Sequence, residues 1–203
     1  MDLYEIFGKS ERYPDGWPVP RTSHTVIFCA AVLLFWVYLA TDADGFAGVL
    51  DYVNLLIHEA GHLVFLPFGR TMHFWGGTLL QCIFPALCFF SFWKTKQPAG
   101  AAFSGIWFGQ NLLNVARYMA DAEEMALPLL GGGIHDWNTI FGDLGLLKYS
   151  RIIAGLVWTA GWLTMIAAAA WYVGRWLRCR KARKRAAKLA RLQSRSGRAL
   201  DEF

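Results

Sequence analysis

The feature that most limits the fold of this chain is a series of five long apolar runs, near residues 24–40, 46–69, 72–93, 99–120 and 152–178. A helix of about 20 apolar residues matches the ~30 Å hydrocarbon core of a bilayer. Inside lipid no water reaches the backbone N–H and C=O groups, so a spanning segment bonds them internally, as a helix does. The first run is slightly short for that core and suits little tilt or thinner lipid. Polar and aromatic residues precede it and no small-residue cleavage site follows, so it reads as a span rather than a cleavable signal. Charged residues make up 17% of the 203 residues, below the ~25% ordinary in soluble domains. The expectation is an all-α, polytopic membrane helix bundle of about five transmembrane helices over residues 1–178. A basic tail, 179–203, follows it.

Charge gives the spans a direction. Eleven of the twenty Lys and Arg fall between Arg175 and Arg198. A basic run beside an apolar helix marks the cytoplasmic side and meets anionic lipid, which accounts for it without nucleic acid. Five alternating spans then leave the N-terminus outside and put Lys94 and Lys96 inside with the tail. The expected location is a plasma membrane or bacterial inner membrane, with the C-terminus cytoplasmic. Cys29, Cys82, Cys88 and Cys179 form no CxxC pair and read as small buried hydrophobes.

Against this background the stretch "NLLIHEAGHLVFLPFG", residues 54–69, stands out. It is apolar enough for lipid yet contains His58-Glu59-x-x-His62. An ionisable group at the centre of a membrane helix costs at least ~2.5 kcal/mol on insertion scales, so it usually has a task. On a helix His58 and His62 are i and i+4, and both rings leave one face, where they can grip a single tetrahedral metal. Glu59 projects beside them, where its carboxylate can take a proton from water. Asp51 and Asn54 continue the same face toward the start of the helix.

An HExxH pentad within a membrane span, with a helix two spans later ending in an aspartate, resembles the site-2 protease group of intramembrane zinc metallopeptidases. In that family the third ligand is an aspartate in an Asn-x-x-Pro-x-x-x-Leu-Asp-Gly motif. Here "NLLNVARYMADAEE" offers Asn111, Asn114 and Asp121, without the Pro or the Leu-Asp-Gly triplet. The resemblance covers residues 46–124 and is close only over the pentad. It implies Zn²⁺ as cofactor and peptide-bond hydrolysis as the reaction.

Three residues compete to complete the site. Asp121 shares a stripe with Asn111, Asn114 and Tyr118, and its rival role is an i, i+4 pair with Arg117. The loop "GGGIHDWN" offers His135, which the run Gly131-Gly132-Gly133 can fold back toward the metal, and Asp136. The rival role for Asp136, with Asn138, is a turn or helix cap. Asp121 is placed first, His135 is its alternative, and Asp136 comes last. Thr78, Gln81 and Pro85 give the third span a polar, kinked face that reads mainly as helix glue. The expected function is a membrane-embedded zinc metallopeptidase acting on membrane or membrane-adjacent substrates, with Glu59 as general base and His58 and His62 as ligands. The competing expectation is a catalytically degenerate relative that binds membrane proteins as a scaffold.

Overall fold

The computed structural model describes residues 16–41, 48–129 and 134–200 of the chain. Six helices make up almost all of it: α1 (Thr22–Thr41), α2 (Val49–Phe65), α3 (Arg70–Lys94), α4 (Pro98–Ala120), a short α5 (Asp136–Asp143) and α6 (Ser150–Leu200). No strand forms among the described residues. Four segments are long and apolar enough to cross a bilayer: Thr22–Thr41, Val49–Phe68, Arg70–Lys94 and Leu147–Ala182. The chain is thereby consistent with a multi-pass integral membrane protein, and leucines such as Leu34, Leu56, Leu87 and Leu156 point outward where lipid would lie.

The fourth expected span, 99–120, forms as the 23-residue helix α4 but is less apolar than the other spans. Its position in the bundle explains why it tolerates polar groups. Ala101, Ala102, Ser104, Gln110, Asn111, Val115 and Ala116 are all buried, so its surface meets other helices rather than lipid. The basic stretch is helical too, because α6 runs on without a break to Leu200. The Gly131-Gly132-Gly133 run lies outside the described residues.

Close approach between α2 and α3 depends on missing side chains. A Cβ on Gly61 would sit 2.2 Å from the Gly76 carbonyl oxygen, and one on Gly76 would sit 2.6 Å from that of Gly61. Small residues that let backbones touch are the usual basis of helix packing in lipid. Between the two helices, Leu66–Phe68 make one 3-10 turn around Pro67, and the chain reverses at Gly69 with φ 94°. That positive φ suits glycine.

Contacts fix the helix directions. Gly61 faces Gly76, so α3 runs against α2. Phe84 meets Trp107 at 5.6 Å between ring centres while Phe92 packs on Gly100, so α4 runs against α3. Gly105 faces Ala168 and Gly109 faces Gly161, which sets α6 against α4. Helix α1 lies against α6 in turn, with Phe28 on Tyr172 and Trp36 near Trp162. Consequently α1 and α2, neighbours in sequence, run in the same direction.

This changes one expectation. Trp17 packs edge-on to Trp93 and Trp171 at 5.1 and 5.3 Å, and the charges of Lys96 and Arg175 sit over its ring. The chain just before α1 therefore lies at the basic end of the bundle, not opposite it. Cation–π contacts of this kind are worth about 0.5–2 kcal/mol each, and a count of alternating spans does not see them.

Candidate metal centre

At the other end of the bundle, α2, α3, α4 and α5 converge. His58 and His62 leave the same face of α2, one turn apart, with ring centres 4.8 Å from each other. The remaining partner comes from 78 residues further along the chain. Asp136 Oδ2 lies 3.0 Å from His58 Nε2 and 3.2 Å from His62 Nε2. Ligand atoms of the three residues all fall within 4.8 Å of one another, a grouping that could hold a metal ion.

Each imidazole is oriented from behind. His62 Nδ1 donates to the His73 carbonyl at 2.7 Å, and His73 Nδ1 returns a bond to the His62 carbonyl at 3.0 Å. His58 Nδ1 lies 2.9 Å from Gln81 Oε1, while Gln81 Nε2 donates to Asn114 Oδ1 at 2.8 Å. Because the Gln81 amide spends its N–H on Asn114, its oxygen is the acceptor and His58 Nδ1 carries the proton. Both rings are thus protonated at Nδ1 and present a bare Nε2 to the carboxylate. Two lone pairs and a carboxylate oxygen at about 3 Å repel unless something positive lies among them: a proton on one ring, or a cation. Imidazoles fixed at Nδ1 by an outer acceptor are what metal-binding histidines commonly show.

The supporting glutamine owes its own place to a proline. Pro85 lacks the N–H that would bond the carbonyl four residues back, which is that of Gln81. Asn111 Nδ2 takes up this freed oxygen at 2.6 Å. Gly77 is needed as well, since a Cβ there would fall 2.5 Å from His58 Nε2. Gly77→Ala is expected to push the ring out of register and to cost about 1–3 kcal/mol by overpacking. Thermal unfolding together with metal titration checks this. An alanine variant with unchanged metal affinity would show that the ring has room to spare.

Helix α5 delivers Asp136. Its Trp137, Ile140 and Phe141 join Phe74, Val115, Met119, Ala122 and Ala154 in a buried cluster that seats the helix on α3, α4 and α6. The Asp136 N–H donates to Tyr118 Oη at 3.1 Å, and Asn138 Nδ2 holds the Ala122 carbonyl at 2.8 Å. Burial by itself would raise the Asp136 carboxyl; with a proton on a facing imidazole, hydrogen bonding from His58 and His62 outweighs burial and holds the group down to about 2. It is anionic at neutral pH.

The two residues placed ahead of Asp136 on sequence grounds are gathered elsewhere. Asp121 spends its carboxylate on the turn after α4, with Oδ1 accepting from the Ala126 N–H at 3.0 Å and Oδ2 from the Leu127 N–H at 3.1 Å. His135 caps α5, its Nδ1 accepting from the Asn138 N–H at 3.1 Å. Burial lowers its pKa further than Asp121 raises it, so the ring is neutral. Its remaining proton is then on Nε2, 3.3 Å from Asp121 Oδ2 and off the line of a good hydrogen bond. Neither nitrogen of His135 is left to bind a metal. Glu59 is half-buried on the turn between the two histidines, near enough to His62 and Tyr118 to interact with both electrostatically.

Sequence reasoning passed over Gln81, His73 and Tyr118 as parts of this site. The polar stripe on α4 and the unusual Gln81-x-x-x-Pro85 pair inside a span were the available signals. Asp51 and Asn54 belong to a separate buried network nearer the start of α2. There Gln110 donates to Asp51, Asn54 donates to Gln110 at 2.8 Å, and Trp107 donates to Asn54 at 2.8 Å. No family model, curated protein or solved structure matches this chain.

Proposed function

We propose that this chain is a membrane-embedded zinc metallopeptidase that hydrolyses peptide bonds of membrane or membrane-adjacent substrates. The observation that carries the reading is the convergence of His58 Nε2, His62 Nε2 and Asp136 Oδ2 with Glu59 on the adjoining turn. Two imidazoles and one carboxylate, with a further carboxylate beside them, form the donor set of catalytic zinc sites that keep a position open for water or substrate. In this reading His58, His62 and Asp136 hold the ion, and Asp121 and His135 shape the loop that carries Asp136. Zinc there supplies Lewis acidity, polarising a peptide carbonyl and acidifying water toward pKa ~7.

The chain's own residues do the rest. Glu59 takes the proton from the attacking water and passes it to the departing amine. Gln81 and His73 keep both ring tautomers fixed while charge changes in front of them. Tyr118 anchors the Asp136 backbone by accepting its N–H. With the basic end of α6 in the cytoplasm, the centre lies near the opposite face, in a plasma membrane or bacterial inner membrane. Lys and Arg of α6 then lie against anionic lipid.

The test compares membranes holding the wild-type chain with membranes holding Glu59→Gln. New peptide termini in membrane proteins are expected with the wild type, lost with the variant or a zinc chelator, and regained when zinc is returned. Identical termini in both preparations would overturn the hydrolase reading in favour of a binding or scaffold role.

A further inference from the structure

Far from the metal centre, at the basic end, α3, α4 and α6 leave a cleft of about 410 Å³ between them. Its floor is small, with Ala101, Gly105 and Ala168, and its walls are Phe89, Trp93 and Trp171. The lining is almost entirely apolar. Pockets for small molecules start near 300 Å³, whereas a helix with its side chains is about 10–12 Å thick. A cube of 410 Å³ is only about 7 Å on edge, so the cleft suits a flexible chain better than a helix.

What lies at its mouth selects the kind of chain. Trp93 and Trp171 stand 5.2 Å apart and pack with Trp17. Trp is enriched at the headgroup level of membranes. Lys94 is exposed next to Trp93, and Lys96 extends over the Trp17 ring at 5.1 Å. Lys96 reaches this place through the α3–α4 turn with φ 59°, an unusual conformation for a side-chain-bearing residue. Among the described residues, every charged group at this end is a cation: Arg21, Lys94, Lys96, Arg175 and those that follow on α6.

We propose that the cleft binds one acyl chain of an anionic phospholipid, with its phosphate held by Lys94 and Lys96. This is a defined site between three helices, distinct from diffuse attraction of the basic helix to a charged surface. It does not depend on the metal centre or on its activity.

The test uses the full chain in bilayer discs made of equal phosphatidylcholine and phosphatidylglycerol, followed by mass spectrometry of the released protein. Wild type is expected to keep a single phosphatidylglycerol in preference to phosphatidylcholine. Ala167→Phe enlarges an outward-facing residue of the cleft wall and should remove the retained lipid. Lys94→Ala with Lys96→Ala should weaken retention roughly 30-fold, from about 1 kcal/mol per cation near a charged headgroup. Unchanged thermal unfolding in pure phosphatidylcholine discs shows that both variants fold. Equal retention of the two lipids, or phosphatidylglycerol that survives Ala167→Phe, overturns the proposal. A paired species lost with Ala167→Phe and lacking bound lipid also overturns it, in favour of a second copy of this chain.

Discussion

Replacing His58, His62 or Asp136 with alanine is expected to lower zinc affinity by about a hundredfold or more. A structural zinc site gains about 10–16 kcal/mol from its ligand set, or roughly 3 kcal/mol for each of four positions. Gln81→Leu removes the acceptor behind His58 together with the amide bond to Asn114, and a loss of about 10–100-fold is expected for an outer partner of that kind. Asp121→Ala should behave differently. It leaves the Ala126 and Leu127 N–H groups without their acceptor, so it lowers the melting temperature by loosening the turn. Both bonds lie at or near the surface, where each hydrogen bond is worth about 0.5–1.5 kcal/mol net. Metal titration and thermal unfolding of the same samples separate the two kinds of defect. If Asp121→Ala strips the metal and Asp136→Ala keeps it, the ligand assignment fails.

Glu59→Gln is expected to keep the metal and lose the chemistry. The amide has the shape of the carboxylate but cannot accept a proton, and positioned proton transfer contributes about 10²–10⁴-fold. In this position the loss should appear in kcat with little change in KM, because substrate binding does not require the base. The cleavage rate should regain nothing as pH rises, since Gln does not titrate. A Glu59→Gln protein that cuts within tenfold of wild type would move the role of base to another group.

Local spacing made half of the site readable in advance. His58 and His62 are one turn apart, so a helical period suffices to put them on one face, and nothing distant enters the argument. Asp136 is different because it reaches the histidines only when α5 docks, and docking depends on Trp137, Ile140 and Phe141 fitting between α3, α4 and α6. In the string His135-Asp136 the sequence allowed one residue to cap and the other to face the metal. The expected roles are exchanged in the structure: the imidazole caps the helix and the carboxylate turns inward. Similarly, the stripe Asn111, Asn114, Tyr118 on α4 was visible as polar but not as directed. Its direction comes from the Gln81 carbonyl, which Pro85 leaves open on a neighbouring helix. The side on which the chain enters α1 was misjudged because hydrophobic runs carry no information about Trp17 stacking at the basic end.

The polar character of α4 bears on how the protein is made. Helix α1 is apolar enough to leave the insertion machinery alone, but α4 carries Gln110, Asn111, Asn114 and Arg117. Arg117 sits in the last turn of α4, where a long side chain can reach the interface, so the amides nearer the middle are the main burden. The partners that relieve the amides, on α2 and α3, are synthesised first, so α4 can join a preformed pair of helices. Asp136 arrives later still, 78 residues after His58. At about 5–20 residues per second that interval lasts roughly 4–16 s. For that time the two histidines sit in the nascent bundle without their carboxylate, so a metal held by all three residues could load only at the end of biogenesis.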